Sequence, residues 1–345
     1  MHRNNYNALR LLFATAVIFS HSFELLGIRD PLERSSASLS FGSLGVCGFF
    51  LLSGFLTAQS WSHDPHVWAF IKKRALRLYP AFIVASTVSV FIVGPLGAST
   101  HHYFGDWSFH RFLSDLIGLR QARTPPVFAG SPVPSVNGAM WTITFELRCY
   151  LLLALLGWCG LAGNRWTILV LAVALNTLSI VRAPQLAAAE GPALFGISGY
   201  MLWFASLYFA GAAFYHFRTV IPMRKAFALP ALVLFVGALF GAGWVTRAAT
   251  ATVGLYLLHY VGQLQLAWLD RLRPRDDLSY GLYLYGWPVM QLAAHNLGIG
   301  APLAAFVCVM AACLPLATIS WRFVESPALR LKYIGVRGQA AVPTR

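Results

Sequence analysis

"RLLFATAVIFSH", Arg10 to His21, is an apolar stretch of helix length with a guanidinium at one end and an imidazole at the other. Apolar runs of this kind recur along all 345 residues, of which 57% are hydrophobic and only 11% charged. A soluble domain carries about a quarter charged residues, and runs near 20 apolar residues are long enough to cross a bilayer as helices. The sequence therefore predicts an all-α, polytopic membrane helical bundle.

Ten spans are predicted, at about residues 8–26, 40–61, 77–97, 139–160, 166–182, 199–217, 226–245, 248–268, 278–297 and 301–322. The seventh and eighth are separated only around Thr246 and Arg247. The first is read as a retained helix rather than a cleaved leader, because it holds Arg10 and His21 and is followed by Glu24 without a small-residue cleavage site. With the N-terminus inside, cytoplasmic segments hold 18 of the 26 Lys and Arg residues and outer segments seven, with Arg148 inside a span. That bias predicts cytoplasmic termini and an even number of spans. It also accounts for the net charge of +14 without nucleic acid. The five cysteines lie in apolar segments without metal-ligand spacing and are read as small hydrophobes. No metal site is expected. The longest loop, about 98–138, faces out; within it "FHRFLSDLIGL" predicts a short interfacial helix and "TPPVFAGSPVPS" extended or turn backbone. No repeat or separate soluble domain is visible. The whole chain, 1–345, reads as one domain with a core at about 4–332 and a tail at 333–345.

Ionisable groups inside such spans are costly and tend to mark functional cavities. Eleven residues separate His21 from Arg10, about 16 Å and three turns, so both lie on one helix face. Arg10 alone reads as an anchor at a helix end. His21 alone reads equally as a hydrogen-bonded core histidine. Glu24 shares their face. In "NGAMWTITFELRCYLL", Asn137 to Leu152, the residues Thr142, Glu146 and Tyr150 are spaced by four and form a polar stripe. Glu146 and His21 come out at similar depth on different helices. A carboxylate beside an imidazole is what a general base needs, since the acid fixes the tautomer and stabilises the imidazolium. Glu146 is therefore one candidate to orient His21, and Glu24 the other.

"IKKRALRLYP", Ile71 to Pro80, places Lys72, Lys73, Arg74 and Arg77 just ahead of a span. Positive-inside anchoring explains them; so does a phosphate clamp, since arginine forks match phosphate oxygens. "GVCGFFLLSGFL" carries Ser53 and Gly54, small residues that allow close helix packing. "LSYGLYLYGWPV", Leu278 to Val289, holds Ser279, Tyr280, Tyr283 and Tyr285, with Pro288 predicting a kink or interruption.

In order along the chain, these pieces resemble the integral-membrane acyltransferase 3 family, bacterial O-acyltransferases of cell-surface polymers. The resemblance rests on Arg10 and His21, "GVCGFFLLSGFL", Arg74-x-x-Arg77 followed by "YP", "MWTITFE" with Glu146 and Tyr150, "LSYGLYLY", and "VESP". It covers about residues 4–332. It implies a multi-pass protein of the cell (inner) membrane that transfers an acyl group, commonly acetyl, from cytoplasmic acyl-CoA to a hydroxyl of a lipid-linked or surface carbohydrate. Acyl-CoA is then a co-substrate, and no tightly bound cofactor is expected. His21 and Glu146 match catalytic positions, and Arg10, Arg74 and Arg77 positions that serve the donor. Glu24, Ser53, Asn137, Trp141, Thr142, Tyr150, Ser279, Tyr280 and Tyr283 are candidates for substrate contact or orientation. Two positions depart from the pattern: Cys47 stands where many relatives have an acid, and Gly286 where many have a histidine. No esterase-like domain is appended, so the membrane unit or a partner must complete the transfer. The competing class is a proton-coupled transporter or glycan flippase with His21 and Glu146 as a relay, for which paired broken helices would be expected.

Overall fold

The computed structural model describes residues 5–36, 39–182, 199–264 and 276–333. Arg3, the loop arginines Arg271, Arg273 and Arg275, the end of the eighth predicted span and the tail from 334 onward lie outside the described residues. The principal helices are α1 (Tyr6–Glu24), α2 (Phe41–His63), α3 (Val67–Val88), α4 (Trp141–Trp158), α5 (Arg165–Val181), α6 (Gly199–Phe217) and α7 (Lys225–Leu239). They are followed by α8 (Gly243–Ala249, continued through a π-helical turn at Thr250–Gly254 into Leu255–Gln263), α9 (Ser279–His295) and α10 (Pro302–Ser320). Among the described residues the fold is all helical, apart from one isolated β-bridge between Ala98 and Val127. Four stretches, Phe41–His63, Val67–Leu96, Gly138–Trp158 and Pro302–Arg330, are long and apolar enough to cross a membrane.

Several boundaries differ from the sequence reading. Helix α3 begins at Val67, ten residues before the predicted start, so Lys72, Lys73, Arg74 and Arg77 lie inside it rather than ahead of it. Their long stems are compatible with helix, and nothing in 67–77 breaks it. The break between α7 and α8 falls at Phe240–Ala242, beside Gly241 and Gly243, and not at Thr246 and Arg247. Thr246 instead closes the turn by donating to the Ala238 carbonyl at 2.7 Å. Helix α9 runs unbroken through Pro288. Proline cannot donate to the carbonyl four residues earlier, and here Asn137 Nδ2 donates to that carbonyl, Leu284 O, at 2.9 Å. The loop that ends at Asn137 thus supplies the hydrogen bond that the proline lacks.

The packing follows small residues. At Gly54 of α2 a Cβ would stand 1.8 Å from the Tyr208 carbonyl oxygen of α6, and at Gly211 of α6 1.9 Å from the Leu51 oxygen of α2. The two helices therefore touch backbone to backbone, as small residues permit in apolar bundles. Gly54→Leu is expected to separate them and leave little monodisperse protein in detergent size-exclusion chromatography, since overpacking already costs about 1–3 kcal/mol where only side chains must move. Outward faces are apolar too: Leu229 and Val233 on α7, and Leu303 and Val307 on α10, are exposed. That is the pattern of a surface meeting lipid rather than water.

The loop after α3 is packed. "FHRFLSDLI" forms the expected short helix, Phe109–Ile117, with the Ser108 hydroxyl accepting from Arg111 N at its start. Phe128 is fully buried with φ +55°. Trp287 Nε1 donates to Ser135 O at 3.0 Å and Gln291 Nε2 to Val133 O at 2.6 Å. These bonds fix the end of the loop against α9.

Candidate active site

A cavity of about 670 Å³ lies between α1, α2, α3, α4 and α9. Along α2 its wall extends from Val46 to His63, about 25 Å of helix. One end is charged, with His63, Asp64, Lys73, Arg74, Arg77 and Lys332 in its wall. The other end is lined by Val46, Phe49, Thr142 and Tyr283.

The charged end is a network. Asp277 Oδ2 lies 2.7 Å from Arg10 Nη1 and 2.7 Å from Arg77 Nη2. Arg77 also reaches Glu325 at 3.5 Å, and Ser279 Oγ donates to Asp277 Oδ1 at 2.5 Å. Burial would raise the Asp277 carboxyl, but the Arg10 and Arg77 guanidiniums and the Ser279 bonds outweigh it and hold the carboxyl below the usual carboxylate range. Lys73 pairs with Asp64 at 2.6 Å. Arg74 differs: its Cζ lies 5.7 Å from the ring centres of Phe70 and Tyr150, its Nε is buried without a hydrogen-bond partner, and it forms no ion pair among the described residues. The three arginines are brought together as expected, but two are already matched by carboxylates. The sequence reading missed both acids. Asp277 directly precedes "LSYGLYLY", and Glu325 is the acid of "VESP"; each adjoins a matched motif, yet nothing in the linear sequence pairs them with Arg77.

Midway along the cavity Ser53 Oγ donates to Glu146 Oε1 at 2.8 Å, Tyr150 OH donates to the same oxygen, and Ser53 and Tyr150 lie 2.9 Å apart. The candidate pair of Glu146 with His21 is not formed. His21 Nδ1 bonds Glu24 Oε2 at 2.9 Å, and its ring stands edge-on to Trp287 at 4.6 Å. Helix α1 packs on α2, α9 and α10, whereas α4 packs on α3, α6 and α2, the helix that it shares with α1. Equal depth did not make the two helices neighbours. His21 is not in the cavity wall. At the far end of the cavity Thr142 Oγ1 bonds Tyr283 OH, which in turn donates to Ala139 O at 2.7 Å, and Phe49 stands edge-on to the Tyr283 ring at 5.9 Å. Tyr283 and Trp287 are one turn apart on α9, about 6 Å.

Of the remaining candidates, Ser279 and Tyr280 line the cavity, Tyr280 OH donating to Leu78 O at 2.9 Å. Trp141 does not; it packs edge-on against Tyr200 at 4.9 Å. Asn137 is fully buried beside α9. At Gly286 a Cβ would stand 2.7 Å from Ile18 Cγ1, so this helix has no room for an imidazole there. Cys47 is buried in the apolar core.

The order of motifs and the helical fold can be set beside known proteins. Residues 3–322 match the acyltransferase domain family, nearly the whole chain. The chain belongs to this acyltransferase family. It is 29% identical over 354 residues to nodulation protein 10 of Rhizobium leguminosarum bv. viciae, covering 96% of this chain and 94% of the relative. It is 26% identical over 333 residues to the O-acetyl transferase of Shigella phage Sf6, covering 94% of this chain and 96% of the relative. A shorter match, 29% over 113 residues, joins 32% of this chain to 27% of the acyltransferase MdmB of Streptomyces mycarofaciens. No solved structure matches. In this acyltransferase the cavity gathers the conspicuous polar groups of four separate motifs, while His21 stands outside its wall against Trp287, a residue one turn along α9 from Tyr283.

Proposed function

We propose that this acyltransferase moves an acyl group, acetyl in the simplest case, from cytoplasmic acyl-CoA to a hydroxyl of a lipid-linked or surface carbohydrate. The observation that carries the reading is the cavity, basic at one end and lined at the other by the hydroxyls of Thr142 and Tyr283, with Tyr283 one turn along α9 from the tryptophan that touches His21. The O-acetyl transferase named among the relatives supports the same class of reaction. In this reading all ten helices span the inner membrane, both termini are cytoplasmic, and the basic end faces the cytoplasm. The nucleotide phosphates sit against Arg74, with Arg10 and Arg77 adding positive potential behind it, and the pantetheine arm lies along the cavity past Ser53 and Glu146. His21, oriented by Glu24, takes the proton of an acceptor hydroxyl arriving from the other side. The acceptor oxygen bonds to the thioester carbonyl carbon and the carbon–sulfur bond breaks. The CoA thiolate takes a proton from water at the cytoplasmic end, while the His21 imidazolium gives its proton to water on the acceptor side, so that one proton is lost and one gained in each turnover.

The test is transfer of labelled acetyl from acetyl-CoA to membrane glycan by purified protein in vesicles. Labelled glycan appearing only with donor present is the expected result. Movement of glycan across the vesicle without donor, and no labelled product, would instead favour the transporter or flippase reading.

A further inference from the structure

We infer that the Thr142 hydroxyl is a catalytic group of this reaction, the hydrogen-bond donor to the thioester carbonyl oxygen. The inference rests on the acyl-CoA reading above. Two lengths lead to it. Arg74 lies against the Tyr150 ring, and Tyr150 touches Ser53. Ser53 and Thr57 stand about 10 and 16 Å from Val46 along α2. A pantetheine arm, at the reach of an extended chain, spans about 16 Å from its phosphate to its sulfur. A donor held by Arg74 therefore presents its thioester at the far end of the cavity, against Thr142 and Tyr283, and not at His21.

The second length is the gap beyond. Trp287 touches His21 and Tyr283 touches Thr142, and those two α9 residues are one turn, about 6 Å, apart. A hydroxyl oxygen within hydrogen-bond reach of a base and about 3 Å from a carbonyl carbon bridges about 6 Å. The acceptor oxygen is accordingly placed between the imidazole beside Trp287 and a carbonyl seated on Thr142 beside Tyr283.

Proton supply then selects Thr142 over Tyr283. Tyr283 has one hydroxyl proton, and Ala139 O receives it at 2.7 Å. Thr142 is buried, lines the cavity, and has Tyr283 as its hydrogen-bond partner. Its proton rests on the phenol oxygen. When a thioester arrives it turns to the carbonyl oxygen, where negative charge builds as the acceptor oxygen adds. Tyr283 is a positioning residue, held from behind by the loop. A fixed donor aimed at developing charge in a water-poor site is the arrangement that most lowers such barriers.

The experiment compares Thr142→Val, which keeps the shape, with Thr142→Ser, which keeps the hydroxyl, in purified protein. Thr142→Val is expected to lower kcat by about 10²-fold or more with little change in KM for acetyl-CoA, and Thr142→Ser to recover most of it. Binding of two inert analogues gives a second readout: acetonyl-CoA, which retains the carbonyl, and ethyl-CoA, which lacks it. Wild-type protein is expected to prefer the ketone and Thr142→Val to lose that preference, an effect that a change in folding stability alone does not produce. Wild-type kcat in Thr142→Val, or an intact preference for the ketone, overturns the inference. Absence of any acyl transfer by wild-type protein would instead overturn the function on which it rests.

Discussion

Replacing His21 by alanine lowers acyl transfer by about 10²–10⁴-fold, the usual contribution of a general base, and leaves CoA binding unchanged. Both halves follow from position. The imidazole stands outside the cavity wall, against Trp287, so its removal takes no residue from that wall. Its Nδ1 is taken by Glu24 at 2.9 Å, which in the proposed reaction leaves Nε2 for the acceptor proton. The carboxylate that matters to the imidazole is therefore Glu24. Glu24→Gln lowers kcat, whereas Glu146→Gln shows mainly as weaker donor binding, because Glu146 sits midway along the cavity wall. The measurements are initial rates with labelled acetyl-CoA and direct titration of CoA. A fall in kcat for Glu146→Gln equal to that for Glu24→Gln, with CoA affinity intact, would return the orienting role to Glu146.

The second large effect separates two neighbouring arginines that look alike in sequence. Arg77→Ala leaves Asp277 and Glu325, both buried, without one of their cationic partners. Removing one partner of a buried pair costs about 3–5 kcal/mol, so this variant unfolds at markedly lower temperature in detergent. Arg74→Ala strands no carboxylate, because Arg74 has no ion pair among the described residues. It folds as wild type and binds CoA at least tenfold more weakly, since a charge-assisted bond to phosphate contributes about 1.5–3 kcal/mol. Thermal midpoints and CoA titrations on the two variants check the contrast. Equal stability of the two would mean that the Asp277 network does not hold the helices together.

The helices were legible because long apolar runs have few alternatives, and small residues such as Gly54 marked the closest contact. The Arg10–His21 face, the Thr142–Glu146–Tyr150 stripe and the Glu24 register follow from helical periodicity alone, and each is present. What lies between helices was not legible. Depth places His21 and Glu146 at one level but says nothing about which helices are neighbours, and α1 packs on α2, α9 and α10. Asp277 and Glu325 meet Arg77 across 200 and 248 residues of chain, a pairing that only the folded bundle defines. The continuity of α9 through Pro288 depended on Asn137 from a distant loop.

Helix α10 passes at Trp321–Glu325 into a π-helical turn before resuming at Ser326–Arg330. Such a turn accommodates one residue beyond the α-helical count. Glu325 sits at its end, buried against Arg77, while the segment that follows lies against α3. Deleting a single residue from this turn would let the helix rewind as ordinary α and swing everything downstream by about 100°. The carboxylate would then leave Arg77, and Lys332 would leave the cavity mouth. One inserted residue is thus enough to tie the far end of the chain to the chemistry of its first helices.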